Sequence, residues 1–466
     1  MTTAPARAKP DSAPVIGESA FTLQLLEDAL AEAGGATAEL VLIRQRLALT
    51  RFARGRVHQN VEEESARLVA RVWSDDGRGI RVADGADALA PRELLAATRG
   101  QPAHASPPTP HLPSTAPKAE TATWFDSTAA ADGEARTAIA AEAIARAGSL
   151  ELSGHLRVAV QDLTVVNSAG LRAHVPLTFA SFIVSAVAEG GVTGSASRID
   201  RDLARLSIEE AVDEATRIAT ASRRPLPLAD GDYRVILDPA AVSMLLLNLG
   251  IIGLNSFSAA GEEKGSSFIA SNRGEAVASS AVTLVDDGQA EHGLPVGFDL
   301  EGCPKQQLTI IDRGIAAGVA HDLETAARAG VDSTGHGMLP GAKGPTPTAL
   351  RIESGSDTRD DLIAGLGRGI VIRRIHPFVS LRGGPGAEVS GTSRDGVFVV
   401  ENGEIAGVAA NLRWSCSAVD LLRSVEAVSR ERSVEFMDLP EFFPSTNDVP
   451  SLLCGRLHVH GAQPRE

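Results

Sequence analysis

The segment that follows Asp238-Pro239 constrains this 466-residue chain more than any other. From Ala240 to Leu254 the sequence is almost wholly apolar, with Asn248 inside the run. Asp238 suits the N-cap and Pro239 the first helical position, so a helix is predicted from there. At fifteen residues it falls short of the ~20 needed to cross a bilayer. It therefore reads as an interior helix of a soluble fold.

Strands are predicted on both sides of it. Tyr233–Leu237 precedes it, and Ala281–Val285, Gln307–Asp312, Ile370–Arg373 and Val397–Glu401 follow. Asn402-Gly403 between Val400 and Ile405 is a hairpin signal, because both residues tolerate positive φ. A helix over Ala418–Val428 and a strand over Leu452–Val459 close the chain.

The first half has its own pattern. Phe21, Leu25, Leu26, Ala29, Leu30 and Ala33 recur at helical spacing over Glu18–Ala33, and Gly34-Gly35 stops that helix. Short strands are predicted at Ala38–Ile43, Leu47–Phe52, Ala66–Trp73 and Gly79–Val82, the last after a turn at Asp75-Asp76-Gly77. A helix over Glu134–Ala147 leads to strands at Leu156–Val160, Thr164–Asn167, Arg172–Val184 and Val192–Ala196. Ser207 and Glu210 have capping-box spacing at the start of another helix. Residues 101–118 hold six prolines among Ser, Thr and Ala, a composition that cannot pack a core and reads as a loop or linker. His104 and His111 within it read as solvated. The expected organisation is a disordered tail at 1–17, an N-terminal α+β domain at 18–225 and a strand-rich domain at 226–466. The fold class is α+β, two domains with mixed, largely antiparallel sheets and packed helices.

Charge narrows the function. Forty-four basic residues stand against 59 acidic ones, a net charge of −15. A phosphate backbone is repelled by that balance, and the basic clusters Arg223-Arg224 and Arg373-Arg374 are only pairs. Neither nucleic acid nor membrane is an expected partner. Cys303, Cys416 and Cys454 are far apart and odd in number, so no disulfide framework is implied. No secretory signal is visible in Met1–Pro14, and a cytoplasmic location is expected.

Catalytic motifs are missing. The eleven histidines include no pair spaced for zinc on one helix face. His458 and His460 would share one face of a strand and read as edge-strand surface residues. The nucleophile elbow G-x-S-x-G and the P-loop are absent. Gly365–Gly369 has the wrong spacing for a dinucleotide site, and Arg382–Gly386 reads as a glycine loop. Asp286-Asp287 before Gly288 reads as a turn, and Asp360-Asp361 as the start of a helix. Cys416 beside Trp414 reads as a packed residue.

A set of segments, in order, nevertheless resembles the TldD/PmbA family, called modulators of DNA gyrase or TldD/TldE peptidases. They are Tyr233–Pro239 leading into the apolar helix, Gly265-Ser266-Ser267-Phe268 and Val285-Asp286-Asp287-Gly288. Phe298-Asp299-Leu300-Glu301-Gly302, Ser333-Thr334-Gly335-His336-Gly337, Gly396–Ile405 (GVFVVENGEI) and Pro450–Gly461 continue the series. Residues 51–82 and 165–184 match more loosely. In the catalytic TldD branch, H-E-x-x-x-H on the apolar helix serves zinc. That position falls here on Gly250–Asn255, GIIGLN, where Gly250, Ile251 and Asn255 mark a lost site. The family's cysteine ligand has no counterpart in residues 431–449, and Cys454 lies on the final strand.

The resemblance thus implies the PmbA/TldE branch. Such a chain is expected to be a non-catalytic subunit that pairs with a TldD-like chain carrying HExxxH. This chain would hold no cofactor of its own, and zinc would sit in the partner. Unfolded peptides would enter the cavity between subunits as extended strands, held by backbone hydrogen bonds. Phe298, Asp299, Glu301, Gly302, Ser333, Thr334, Gly335 and His336 are the candidates for lining that channel. The alternative is a regulatory or binding protein acting without a peptidase partner, possibly as a homodimer.

Overall fold

The computed structural model describes residue 16 and residues 19–74, 77–85, 90–100, 109–117, 121–189, 191–221, 225–376, 380–382, 387–437 and 445–460. The expected tail (residue 16 apart), Asp75-Asp76 of the expected turn, most of the proline-rich segment, Arg223-Arg224 and residues 383–386 of the glycine loop lie outside them.

The N-terminal half contains α1 (Ser19–Leu30), β1 (Thr37–Ala53), β2 (Arg56–Ser74), β3 (Gly77–Asp84), α2 (Pro91–Arg99), α3 (Asp126–Ala129), α4 (Gly133–Arg146), β4 (Glu151–Asn167), β5 (Arg172–Val187), β6 (Thr193–Asp200) and α5 (Ile208–Thr220). Its strands make one antiparallel sheet in the order β3-β2-β1-β4-β5-β6. The expected short strands 38–43 and 47–52 are one strand, β1, and 156–160 and 164–167 are likewise one strand, β4. The polar residues that interrupt the two hydrophobic patterns face each other across the ladder. Arg44 pairs in register with Asp162, and Gln45 with Gln161. Arg44 Nε donates to Asp162 Oδ1 at 3.1 Å, and its Nη2 donates to Thr22 Oγ1 of α1 at 2.9 Å. A buried ion pair thus stands where the pattern suggested a break.

Strand geometry sends alternate residues to opposite faces, and here both faces are covered. Leu40, Leu42, Leu68 and Ala70 pack with Leu26 and Ala29 of α1 and Leu95 of α2. Phe52, Leu156, Val158, Phe182 and Val184 pack under α4 and α5 on that same parity. The odd-numbered Val41, Ile43, Val69, Val165 and Val175 point the other way, onto Val296, Phe298, Leu300, Met338 and Leu339 of the second half. The Ser207 capping box does not form, because the Ser207 side chain makes no capping bond at the head of α5.

The second half runs β7 (Gly231–Leu237), α6 (Pro239–Leu246), α7 (Ala259–Glu263), α8 (Phe268–Ser271), β8 (Leu284–Asp286), β9 (Leu308–Asp312), β10 (Ile315–Ala316), α9 (Leu323–Ala329), β11 (Ala349–Ile352) and α10 (Arg359–Leu366). It ends with β12 (Gly369–Ile375), β13 (Ser380–Arg382), β14 (Glu388–Glu401), β15 (Glu404–Ala409), β16 (Arg413–Ser417), α11 (Ala418–Arg423), β17 (Val425–Phe436) and β18 (Thr446–His460). The helix expected over 418–428 stops at Arg423, and Val425 already begins β17 beside β18. The path β18-β16-β14-β12-β7 closes on itself, because β7 also pairs with β18. The pairings β11–β18 and β12–β7 are parallel and the rest antiparallel, so the sheet is mixed. Asn402 and Gly403 turn the β14–β15 hairpin at φ 53 and 79. His458 and His460 do share an outward face, but β18 has neighbours on both sides and is not an edge strand.

Helix α6 is buried against this closed sheet. Ala241, Val242, Leu245 and Leu246 are at most 2% exposed and meet Val235, Leu237, Ile370, Ile372 and Leu452 in one cluster. Each such leucine contributes about 1.5–3 kcal/mol by leaving water. Among the described residues, no helix is long and apolar enough to cross a membrane.

Candidate functional site

Two places carry the residues singled out in the sequence. The first is α6 and the turn beyond it. Asp238 has N-cap backbone geometry, yet its carboxylate does not cap the helix. It accepts a two-pronged bond from Arg359, Nε and Nη2 each at 2.8 Å, and a third from Ser451 Oγ at 3.0 Å. Burial alone would raise this carboxyl, but the charge and hydrogen bonds of Arg359, aided by Arg373 and Ser451, hold it below the usual aspartate value.

After α6 the helix widens into a π-turn over Leu247–Ile252. The amides of Leu254, Ser256 and Phe257 then close back on the carbonyls of Asn248, Leu249 and Gly250. Asn255 takes a left-handed φ of 55, and its amide nitrogen donates to Lys343 O at 3.1 Å. A Cβ at Gly250 would lie 1.9 Å from Phe257 Cδ2 and 2.0 Å from its Cε2. The ring of Phe257 therefore occupies the space that a side chain at 250 would need. Phe257 in turn meets Phe268 edge-on, with ring centroids 6.4 Å apart. Phe268 ends the Gly265–Phe268 segment, and Ser267 Oγ of that segment donates to Ser256 O at 2.6 Å. The segment thus fastens the turn that follows the helix.

Zinc does not fit these residues. Gly250 has no ligand atom, Ile251 is an apolar residue buried to 5% exposure, and Asn255 offers only a neutral amide oxygen in place of the thiolate, imidazole or carboxylate that zinc takes. Cys454 is packed in the core beside Leu452, and burial pushes its thiol far up, away from the thiolate that binds metals. Among the described residues, no group of three or more His, Cys, Asp or Glu is placed to hold a metal ion.

The second place gathers the expected channel residues at the junction of the halves. Asp299 accepts from the amides of Glu301 and Cys303 at 2.9 Å each and from Gly337 at 2.6 Å. Leu300 N donates to Gly337 O, so Phe298–Gly302 and Ser333–Gly337 form one unit. Gly302, at φ 72, has no room for a Cβ, which would lie 2.1 Å from Leu171 in the β4–β5 turn. A Cβ at Gly335, at φ 75, would lie 2.3 Å from Pro304 O. Arg71 on β2 donates to Leu300 O at 3.1 Å and Met338 O at 2.8 Å while paired with Glu39. Glu301 Oε2 accepts from Leu323 N at 2.8 Å, at the head of α9.

Beneath them lies a relay of polar side chains. Thr334 Oγ1 is 2.8 Å from His336 Nδ1, and His336 Nε2 is 2.9 Å from Asp286 Oδ2. Asp286 is therefore a buried strand residue with a partner, not the turn expected from Asp286-Asp287-Gly288. Burial would raise it, but His336 and Lys305 bring it below the aspartate range. Glu301 is driven well above the glutamate range by burial, with Asp322, Asp299 and Glu39 adding to the rise. Burial lowers Lys305, whose Nζ donates to Thr348 Oγ1 at 2.6 Å.

Phe298, Asp299, Glu301 and His336 are at most 7% exposed, Gly302 and Gly335 are buried, and Ser333 and Thr334 are half-buried. In this chain the charges mainly lock loop to loop and half to half. Sequence inspection missed Arg71, Glu39 and Phe257. The first two left a signal, each being a lone charge inside an apolar strand pattern.

The geometry defines a class: a two-part α+β protein whose second half is a closed mixed sheet around an apolar helix widened by a π-turn. The family model for the PmbA/TldA metallopeptidase C-terminal domain matches residues 230–461. The chain belongs to the TldD/PmbA family. A metalloprotease of Methanocaldococcus jannaschii is 27% identical over 235 residues, 48% of each chain. The metalloprotease TldD homolog of Haemophilus influenzae is 26% identical over 264 residues, 53% of this chain and 52% of its own. The chain spans about half the length of the curated relatives it matches. Among solved structures, a modulator of a DNA gyrase from Thermotoga maritima superposes with a TM-score of 0.83 at 22% identity, covering 94% of this chain and 99% of that one. TldE from Thermococcus kodakarensis gives 0.81 at 21% identity, covering 94% and 100%. These likenesses establish the fold.

Proposed function

We propose that the chain is a TldE/PmbA-like subunit that shapes the substrate cavity of a two-subunit metallopeptidase without supplying its zinc. The supporting observation is the Phe257 ring in the space a side chain at 250 would require. In the TldD pattern that position carries the first histidine. Losing one ligand could be repaired by one substitution, but here the volume is filled and the neighbouring Phe268 is packed against the filler. The partner is a TldD-like chain with an intact HExxxH, and the substrate is an unfolded peptide taken as an extended strand.

The test is metal analysis and peptidase assay of the purified chain, alone and mixed with a TldD-like chain from the same genome. The expected result is no stoichiometric zinc and no hydrolysis alone, a 1:1 complex on mixing, and chelator-sensitive hydrolysis by the complex. Zinc at one equivalent per isolated chain, or hydrolysis by it alone, refutes the assignment.

A further inference from the structure

Between the halves, a cavity of about 630 Å³ opens at the head of α6, with the Asp238–Arg359 pair in its wall. That volume lies within the usual span of small-ligand pockets, about 300–1,000 Å³. Its walls come from β4, β5, β6 and α5 on one side and from α6, β12 and β17 on the other. Its lining follows the helix from Pro239 to Leu247, while the filled position at Gly250 lies further along the turn and is not part of it.

The lining is two-sided in its chemistry. Ile183, Met244, Leu247 and Phe436 supply apolar wall. Six arginines also line the cavity with four carboxyls, and further carboxylates behind the wall hold two of the six in place. The pairs show how these guanidinium groups are held. Arg359 and Arg373 flank Asp238, and Arg373 and Arg198 flank Glu214. Arg374 is held from outside by Asp395, and Arg432 by Asp448 at 2.9 Å through Nε and by Ser354 Oγ at 3.3 Å and Glu353 at 4.0 Å through Nη1, which leaves its Nη2 toward a ligand. Arg157 stands over the Phe436 ring, 5.4 Å from its centroid. Glu431 and Glu435 are the remaining carboxyls of the lining; Glu435 is bonded to Ser197 Oγ at 3.0 Å and Ser433 Oγ at 2.9 Å. A guanidinium has five N–H donors, and one carboxylate engages at most two of them, so a pinned arginine keeps donors for a further anion. Side chains fixed by such pairs lose little entropy when a ligand arrives.

We propose that this cleft binds a small organic anion, a carboxylate carried on an apolar body, with the guanidinium groups of Arg374 and Arg432 meeting the anion and Met244, Leu247 and Phe436 the apolar part. The same chemistry is offered by the free C-terminus of a short peptide and by a simple organic acid. The site makes no use of a second subunit, so it stands or falls separately from the proposed assembly.

Calorimetric titration of the full chain distinguishes the sources. The probes are N-acetyl-leucyl-leucine with its carboxylate free, the same dipeptide as its C-terminal amide, and phenylbutyrate. A free acid is expected to bind, with the amide at least about tenfold weaker, as the loss of a charge-assisted hydrogen bond entails. Tighter binding of the dipeptide acid assigns a chain end, and tighter binding of phenylbutyrate assigns an organic acid. Arg374→Gln combined with Arg432→Gln should weaken the acid by about tenfold or more and leave the amide unchanged. Ala240→Trp, which puts an indole into the lining without removing a charge, should abolish binding, and it decides the matter if the arginine variant melts early. Equal binding of acid and amide, undiminished binding by a folded variant, or no binding of either acid at millimolar concentration overturns the proposal.

Discussion

Replacing Arg71 by Met tests the junction between the halves. Arg71 and Glu39 are a buried pair, with side chains 4% and 0% exposed, and Arg71 also donates to Leu300 O and Met338 O across the junction. Removing one member of a buried pair leaves an uncompensated charge and typically costs about 3–5 kcal/mol. Two carbonyls would lose their donor as well, so the upper part of that range is expected here. The loss also depends on pH in a definite direction. Burial already raises the Glu39 carboxyl, and Arg71 opposes that rise. Without Arg71 the folded state binds a proton more tightly than the unfolded chain does, so stability falls as pH rises, and the deficit of Arg71→Met grows between about pH 5 and about pH 8. Replacing Glu39 by Met as well removes the stranded charge and should restore at least about 2 kcal/mol. Denaturant unfolding of the three variants against the parent, at both pH values, measures all of this. A loss below about 1 kcal/mol for Arg71→Met, or a double variant whose loss equals the sum of the singles, would refute the reasoning.

Four further outcomes follow from the same coordinates. Gly250→Ala drives a Cβ into the Phe257 ring and should cost about 1–3 kcal/mol in chemical denaturation; an unchanged midpoint would mean the ring is not where we place it. Phe257→Ala opens the same space and should cost about 3–5 kcal/mol, with Gly250→Ala tolerated better in that background than alone. Asp238, held below its ordinary 3.8, contributes stability that is present above that pH and lost as pH falls through its folded value, so Asp238→Asn should flatten the acid limb of a stability–pH profile. Glu301, raised by burial, has the opposite sign: its contribution fades as pH rises, and Glu301→Gln should cost less, or even stabilise, at alkaline pH than at acid pH in thermal melts.

What the sequence disclosed depended on which physical signal each element left. Helix α6 and the Asn402-Gly403 hairpin follow from local chemistry: an apolar run behind Asp-Pro, and two residues that tolerate positive φ. The long strands β1 and β4 were read as pairs of short ones because Arg44 with Asp162 and Gln45 with Gln161 meet only after the ladder forms. The end of the α11 helix was overrun because Val425 and Val428 suit helix and strand periodicity alike over so short a span, and pairing with β18 decides it. At the candidate sites, the segments were visible and their contacts were not. Asp286 and His336 are fifty residues apart, and Arg71 and Met338 are 267 apart, so their meeting is a property of the topology.

The filled position and the contacts that fix the turn around it support one account of the chain. Asp238 and Arg359 fix the head of α6, the π-turn widens its far end, and Ser267 ties Ser256 to the Gly265–Phe268 segment. Gly261 lets the Asn255 carbonyl come within 2.0 Å of where its Cβ would stand, which presses the turn against α7. A stretch that merely filled space would need none of these, because a regular α-helix ended by a glycine cap is simpler to build. A side chain at 250 would meet the Phe257 ring, and Phe257 packs edge-on against Phe268, so the space beside the turn is filled. Such a helix serves packing instead of ligation. Its rigidity then matters for whatever rests on the closed sheet around it, and the proposed role, a wall of a shared cavity, would call for that stiffness.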